Sequence, residues 1–153
     1  MRTPNHILTA RDLMTTHLLT FHPKQTILSA MHSLLKRGVS GGPVVDSENV
    51  LVGVLSELDC LRMLASDEFY LDDQEEGALV ERYMTRDGRT IPPDLGIYGI
   101  SHYFLTGAIR RLPVIENGRL IGQVSRRDVL RGMETMTRKR LVRKRYPDYL
   151  QPA

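Results

Sequence analysis

The sequence repeats itself, at a spacing of 70 positions over most of its length and of 69 positions near the end of each copy. The matches 70 apart include Met14 with Met84, Thr15 with Thr85, Pro23 with Pro93, Ile27 with Ile97 and Pro43 with Pro113. The matches 69 apart include Gly53 with Gly122, Ser56 with Ser125 and Asp59 with Asp128. The spacing changes in a polar turn, where deletions are tolerated. A register kept over this length indicates two copies of one structural unit.

Hydrophobic periodicity predicts the same order of elements in both copies. Apolar residues at helical spacing over 27–35 are followed by Gly38, a typical helix stop. Two short apolar strands then surround a polar turn, and Asn117-Gly118 is a strong hairpin signal in the second copy. Each hairpin runs into a helix, predicted over 57–64 and over 126–136. Each unit therefore reads helix, strand, helix, strand, strand, helix.

The composition is that of a folded chain in water. Its 153 residues are 41% hydrophobic and 25% charged, which excludes a disordered or fibrous protein. No apolar run approaches the ~20 residues of a membrane span, and the N-terminus has no signal-peptide pattern. Cys60 is the single cysteine, which agrees with a reducing compartment. We therefore expect a cytoplasmic protein without membrane contact.

Charge is placed unevenly along the chain. Residues 67–76 contain six acids and no base, as expected of a solvated linker. Residues 126–145 contain nine bases against Asp128 and Glu134. The net charge of +3 therefore arises largely from the C-terminal end. A basic tail is weaker evidence for nucleic-acid binding than a basic surface over the whole domain.

The first copy carries Leu51-Val52-Gly53-Val54-Leu55-Ser56-x-x-Asp59 and the second carries Leu120-Ile121-Gly122-Gln123-Val124-Ser125-x-x-Asp128. In these motifs both copies resemble a CBS domain. Asp12-Leu13-Met14-Thr15 and its repeat Arg82-Tyr83-Met84-Thr85 look like the first helix of that family. We divide the chain accordingly into CBS domain 1 at 8–66, an acidic linker at 67–78, CBS domain 2 at 79–137 and a basic C-terminal tail at 138–153.

The resemblance implies a fold class and a function. The fold class is α/β (α+β), with two βαββα units packed sheet to sheet in pseudo-twofold symmetry, an arrangement called a Bateman module. The function is regulatory and not enzymatic: adenosine-containing ligands such as AMP, ADP or ATP bind in the clefts between the units, and the module acts on a partner. No cofactor is required in this interpretation, and the bound molecule is an adenine nucleotide or a related adenosyl ligand.

The Ser-x-x-Asp motif has two interpretations. It is the pattern of a capping box, in which the acid at the third helical position reaches back to the first backbone N–H groups. In the family the resemblance implies, the acid bonds ribose hydroxyls, and the hydroxyl residue lies near ribose or phosphate. The two roles are compatible, because a helix N-terminus also favours phosphate.

The two motifs differ in charge. The second reads Ser125-Arg126-Arg127-Asp128, whereas the first has Glu57 after Ser56. Arg110 and Arg111 add two further bases ahead of the second hairpin. Arginine binds phosphate and glutamate repels it. The second site is therefore predicted to bind phosphate better, and the first to bind a nucleoside or to stay empty.

The candidate ligand-binding residues form two sets. Site 2 comprises Thr90, Ile109, Arg110, Arg111, Leu112, Pro113, Ser125, Arg127 and Asp128. Site 1 comprises Thr20, Val39, Gly42, Pro43, Ser56 and Asp59. In the family, apolar residues before the proline contact adenine, so that Leu112 could stack on a purine and Gly42 could not. The alternatives are core packing for Val39 and Ile109 and ordinary strand positions for the two threonines.

No catalytic or metal site is predicted. The five histidines show no ligand spacing, and Cys60 is expected to pack behind a helix. Ser125 and Asp128 lack a general base, which argues against a hidden enzyme.

The sequence indicates three kinds of partner besides the ligand. We expect a homodimer, since the helix face Ile27/Met31/Leu34 cannot all be buried against one three-stranded sheet. An unknown regulated protein follows from the implied function. The rival interpretation is nucleic-acid or protein docking through the basic residues 138–145, with vestigial ligand clefts.

Overall fold

The computed structural model describes residues 7–66, 78–86 and 88–145, with side chains through residue 139. The acidic run 67–77 and residues 146–153 lie outside this part of the chain. The helices and strands are α1 (Ala10–Leu13), α2 (Ile27–Arg37), β1 (Gly41–Val45), β2 (Leu51–Ser56), α3 (Glu57–Leu64), α4 (Val80–Tyr83), α5 (Ile97–Thr106), β3 (Arg111–Glu116), β4 (Arg119–Ser125) and α6 (Arg126–Arg145).

Each unit is built on an antiparallel hairpin, β1–β2 in the first and β3–β4 in the second. Asn117 and Gly118 both have positive φ, 53° and 78°, as a two-residue hairpin turn requires. Asn49, in the equivalent turn, also has positive φ. Its Nδ2 donates to the Leu120 carbonyl at 2.8 Å, and its own carbonyl accepts from the Leu120 N–H at 3.1 Å. The turn of one hairpin is thereby joined to a strand of the other.

A short extended segment lies beside each hairpin. Phe21 forms a parallel bridge with Val44, and Ile91 forms the equivalent bridge with Val114. All four side chains are buried. The predicted strand before each helix is therefore present, reduced to a single bridged residue.

The first short helix of each unit packs on the opposite unit. Ala10 of α1 belongs to the hydrophobic core of the second unit, and Val80 of α4 belongs to the core of the first. Thr15 pairs with Gln123 of β4, and Thr85 pairs with Val54 of β2. Ala78, placed in the linker by sequence, is buried in the first core.

This exchange is symmetric bond for bond. The Ala10 N–H donates to the Leu95 carbonyl and the Val80 N–H donates to the Gln25 carbonyl, both at 2.8 Å. The two units are therefore related by a pseudo-twofold arrangement in which each completes the core of the other. The implied fold class is confirmed, and the exchange adds a feature that the sequence pattern did not indicate.

The helix face used to predict a dimer was chosen wrongly. Ile27 and Leu34 are buried and Met31 is partly buried, because α2 shares the first core with α3, α4 and the hairpin. The exposed apolar residues of α2 are instead Leu28 and Leu35.

The helix after each hairpin begins where predicted. The first, Glu57–Leu64, also has the predicted end, whereas the second runs from Arg126 to Arg145, beyond the predicted end at residue 136. The N-terminal part of the basic tail therefore continues α6.

Candidate functional site

A cavity of about 630 Å³ lies between the two units. One wall of the cavity belongs to the first unit and consists of the segment after α1 and the turn between α2 and β1. The other wall belongs to the second unit and consists of β4 and the start of α6. The lining residues are Thr15, His17, Leu18, Leu19, Arg37, Gly38, Val39, Ser40, Gly41, Arg110, Arg111, Gln123, Ser125, Arg126, Arg127 and Asp128.

Two contacts bring the walls together. The backbone of Thr15 pairs with Gln123, its N–H donating at 2.9 Å and its carbonyl accepting at 3.0 Å. On the other side, the Arg111 guanidinium donates to the Ser40 hydroxyl and lies against Gly41. A Cβ at residue 41 would lie 2.5 Å both from the Arg111 guanidinium and from the Leu55 carbonyl oxygen, so glycine is needed where the arginine crosses.

Ser125 and Asp128 form a capping box at the start of α6. The Asp128 Oδ2 atom accepts from the Ser125 N–H at 2.8 Å and from the Ser125 hydroxyl at 2.9 Å, while the Asp128 N–H donates to that hydroxyl at 3.3 Å. Ser56 and Asp59 repeat these bonds at 2.9, 3.0 and 3.2 Å. The capping interpretation of Ser-x-x-Asp is therefore confirmed in both units.

Asp128 has one contact that Asp59 lacks. Its Oδ1 atom accepts from Arg131 at 3.0 Å and from the Thr15 hydroxyl at 3.3 Å. Asp59 Oδ1 accepts from Arg62 at 2.7 Å, and the described part of the chain shows no bond between it and Thr85, the counterpart of Thr15. The Thr15 bond connects the exchanged segment of the first unit to the motif of the second. A ligand hydroxyl that reached Asp128 would compete with Thr15 or with the exposed Arg131, because a carboxylate has about four acceptor positions.

Five arginines line the cavity: Arg37, Arg110, Arg111, Arg126 and Arg127. Within the described ranges none of them forms an ion pair with a carboxylate, and the one lining acid, Asp128, is paired with Arg131. Burial lowers the pKa of the Arg111 guanidinium below its ordinary value; Arg110 acts in the same direction and Glu57 against it. The excess of positive charge suits the cavity for an anion.

The structure distributes the sequence-predicted residues unevenly. Five site 2 residues line the cavity: Arg110, Arg111, Ser125, Arg127 and Asp128. Val39, assigned to site 1, lines this same cavity, so residues of the two predicted sets meet. The remaining predicted residues are outside its lining: Thr20, Gly42, Pro43, Ser56, Asp59, Thr90, Ile109, Leu112 and Pro113.

One expectation about an apolar residue was wrong. Leu112 is fully buried in the second core, so its side chain is not available to stack on a purine. The reason is that Leu112 is the second residue of β3 and its side chain lies in the core, whereas Arg111 before it lines the cavity. Val39 is 41% exposed at the cavity and does not belong to the core. Ile109 is partly buried against the second core, as its packing alternative predicted.

Sequence reasoning missed several lining residues, including Thr15, His17, Arg37 and Gln123. Thr15 and His17 reach the cavity because the first helix packs on the opposite unit. The sequence repeat does not show on which unit that helix packs. Gln123 had a visible signal, since it stands where the first copy has Val54.

Cys60 is buried, and burial raises the pKa of its thiol, as do the neighbouring carboxylates of Asp59 and Glu57. Among residues 7–66, 78–86 and 88–145, no group of three or more His, Cys, Asp or Glu side chains is arranged to hold a metal ion. In the same ranges no helix combines the length and apolar character that a membrane span needs.

Known proteins resemble this chain in structure and in sequence. A solved structure of CBSX2 in complex with AMP aligns with 84% of this chain and 98% of its own, at 29% identity and a TM-score of 0.75. The Methanocaldococcus jannaschii protein MJ1225 is 29% identical over 121 residues, and the A-adding tRNA nucleotidyltransferase of Aquifex aeolicus is 27% identical over 127. The alignments cover 79% and 83% of this chain, but only 41% and 14% of those proteins.

The family comparison covers both copies of the repeat. The CBS domain family matches residues 10–66 and again residues 80–135, which together are more than half of the chain. The chain therefore belongs to the CBS domain family and contains two CBS domains in tandem.

Proposed function

We propose that this chain is a non-enzymatic regulatory module of the cytoplasm that binds an anionic adenosine-containing ligand, such as AMP, ADP or ATP, in the cavity between its two CBS domains. One observation carries the proposal: the same cavity is lined by the Ser125–Asp128 motif and by five arginines that have no carboxylate partner among the described residues. The AMP complex of CBSX2, a relative that aligns over most of both chains, supports the same ligand class.

The cavity offers separate groups for each part of such a ligand. A ribose diol suits the Asp128 carboxylate, which can accept two hydroxyl bonds once both Thr15 and Arg131 yield their positions. The N-terminus of α6 and the guanidinium groups of Arg126 and Arg127 suit the phosphates. The positive lining disfavours a cationic adenosyl ligand such as S-adenosylmethionine relative to a nucleotide.

The regulatory action would follow from the position of the cavity. Its walls come from both CBS domains, so a ligand that binds them together favours one relative packing of the two. A change of this packing would be transmitted to a partner protein or across a homodimer.

Calorimetric titration of AMP and ATP tests the proposal, with Asp128→Ala and Asp59→Ala as a matched pair. Both substitutions remove the acid of a capping box, but only Asp128 lines the cavity. We expect wild type and Asp59→Ala to bind similarly and Asp128→Ala to lose at least about tenfold in affinity, because charge-assisted hydrogen bonds contribute about 1.5–3 kcal/mol. Equal losses in the two variants would show that the Asp128 cavity is not the binding site.

The basic tail supports a second candidate function. Because α6 continues to Arg145, the bases over 138–145 lie on one helix that extends past the CBS domain. Nucleic-acid binding through this segment would fall steeply with salt and would be lost on deleting residues 138–153.

A further inference from the structure

Gln123 carries a buried side-chain oxygen without a hydrogen-bond partner. Among the described side chains, its Oε1 atom is the only buried polar atom in this condition. The residue also lines the cavity between the CBS domains. Buried polar groups are nearly always paired, because an unpaired one loses its bonds to water and gains none.

The fold itself does not require glutamine at this position. The first copy has Val54 there, and Val54 makes the same backbone pairing with Thr85 that Gln123 makes with Thr15. Valine is also the better strand former. The amide of Gln123 is therefore a feature of the one CBS domain whose motif lines the cavity.

The position of Gln123 relative to Ser125 fixes which part of a nucleotide it can meet. The two residues are neighbours on one face of β4, about 7 Å apart for an extended strand. The strand runs from Gln123 towards Ser125 and the start of α6, where Arg126 and Arg127 lie. A nucleotide with its phosphates at that helix start and its ribose at Asp128 would extend its base towards Gln123.

We propose that Gln123 reads the base of the bound nucleotide and selects adenine over 6-oxopurines. This inference rests on the proposed function. Glutamine pairs with adenine through two bonds, accepting from the 6-amino group and donating to N7. The Oε1 atom is buried in this structure, so the Gln123 side chain must turn towards the cavity for its oxygen and nitrogen to meet the base together.

A 6-oxopurine cannot make this pair. Hypoxanthine presents two acceptors, O6 and N7, at the same edge, so the Gln123 oxygen would stay unpaired. A site that is built to bond a substrate amine rejects analogues without it for this reason. Purine riboside, which has no group at position 6, isolates the contribution of the amine.

Calorimetry on the full chain with AMP, IMP and purine riboside 5′-monophosphate tests the inference. The affinity of wild type for AMP should be at least about tenfold higher than its affinity for either analogue. Gln123→Met, which keeps the length of the side chain without its amide, should bind all three within about threefold of one another. Gln25→Met, a matched change outside the cavity lining, should keep the wild-type preference.

The outcomes separate this inference from the proposed function. Equal wild-type affinities for AMP and IMP would overturn base reading and leave nucleotide binding intact. An unchanged preference in Gln123→Met would also overturn it. No binding of any of the three by wild type would overturn the proposed function, and base reading with it. If Gln123→Met fails to fold, the wild-type affinities for AMP and for purine riboside 5′-monophosphate decide. A ratio of these two affinities near one would overturn base reading.

Discussion

Asp128 closes the N-terminus of α6 and also lines the cavity between the CBS domains. Asp59 makes the same capping box away from that cavity. The repeat thus supplies an internal comparison, since a structural effect should be common to both aspartates and a ligand effect should belong to one.

Replacing either aspartate with alanine should lower the free energy of unfolding, and Asp128→Ala should lower it slightly more because it also removes the Thr15 bond. The loss of a cap and of buried bonds predicts about 1–3 kcal/mol in each case. Urea denaturation of the unliganded variants measures this directly. A loss confined to Asp128→Ala would mean that its stabilising role is not that of a cap, because the two boxes have the same bonds.

Cys60 should react slowly with thiol reagents in the folded protein. Its side chain is buried, and burial together with Asp59 and Glu57 raises the pKa of the thiol, so less of the reactive thiolate is present at pH 8 than in a free cysteine. A colorimetric disulfide reagent should label the urea-unfolded chain much faster than the native one. Equal rates in the two states would contradict the burial.

Single residues could be predicted from the sequence where their role is local. The Ser-x-x-Asp caps depend on four consecutive residues and were predicted correctly. The inward orientation of Leu112 depends on which face of β3 meets the core, and the local pattern did not resolve this. The unpaired state of Gln123 depends on every atom around it, which no local pattern contains.

At the scale of elements, the exchange of α1 and α4 determines what the cavity contains. Gly122 of β4 lies directly beneath Met14. A Cβ atom added at Gly122 would be only 2.5 Å from the Sδ atom of Met14. Gly53 has the same relation to Met84 at 2.7 Å. The glycine in each motif therefore makes room for the segment that arrives from the other unit.

Gly122→Ala should destabilise the protein by about 1–3 kcal/mol, because the added methyl group overpacks this contact. Gly88→Ala is the control, since its new Cβ would meet Val54 at an ordinary 3.5 Å. Urea unfolding of both variants checks the prediction. A Gly122→Ala variant as stable as the control would indicate that Met14 does not pack on β4.

The longer elements could be predicted from periodicity and turn chemistry, whereas their partners could not. The hairpins and the starts of α3 and α6 follow from alternating apolar residues and caps. The four-residue helices α1 and α4 carry too little pattern to reveal the sheet on which they pack. Their exchange is a long-range property, decided by which core each apolar face completes.

At the scale of the whole molecule, exposed apolar residues repeat in both CBS domains. Leu35 of α2 and Leu105 of α5 are equivalent in the repeat and are 81% and 85% exposed. Tyr98, Leu130 and Met133 on α5 and α6 are exposed as well. Such repeated apolar positions are typical of an interface between chains.

We predict a homodimer joined through these helices. Light scattering at micromolar concentration should give about twice the chain mass of 17.4 kDa. The double variant Leu35→Glu/Leu105→Glu should shift this to the mass of one chain, because it places charge at the apolar positions. Lys36→Glu changes charge at an exposed neighbouring position and should leave the dimer intact. A wild-type mass of one chain would contradict the prediction.

Thermal unfolding of wild type with a panel of ligands tests most directly whether the arginine-lined cavity binds an anionic adenine nucleotide. A ligand at about 100 times its Kd stabilises by about 2.7 kcal/mol, which corresponds to roughly 5–10 °C in Tm for a domain of this size. AMP, ADP or ATP should produce such a shift, and S-adenosylmethionine, which is cationic, should produce a smaller one at the same concentration. No shift with any of the three nucleotides, or a larger shift with S-adenosylmethionine than with any of them, would contradict the account.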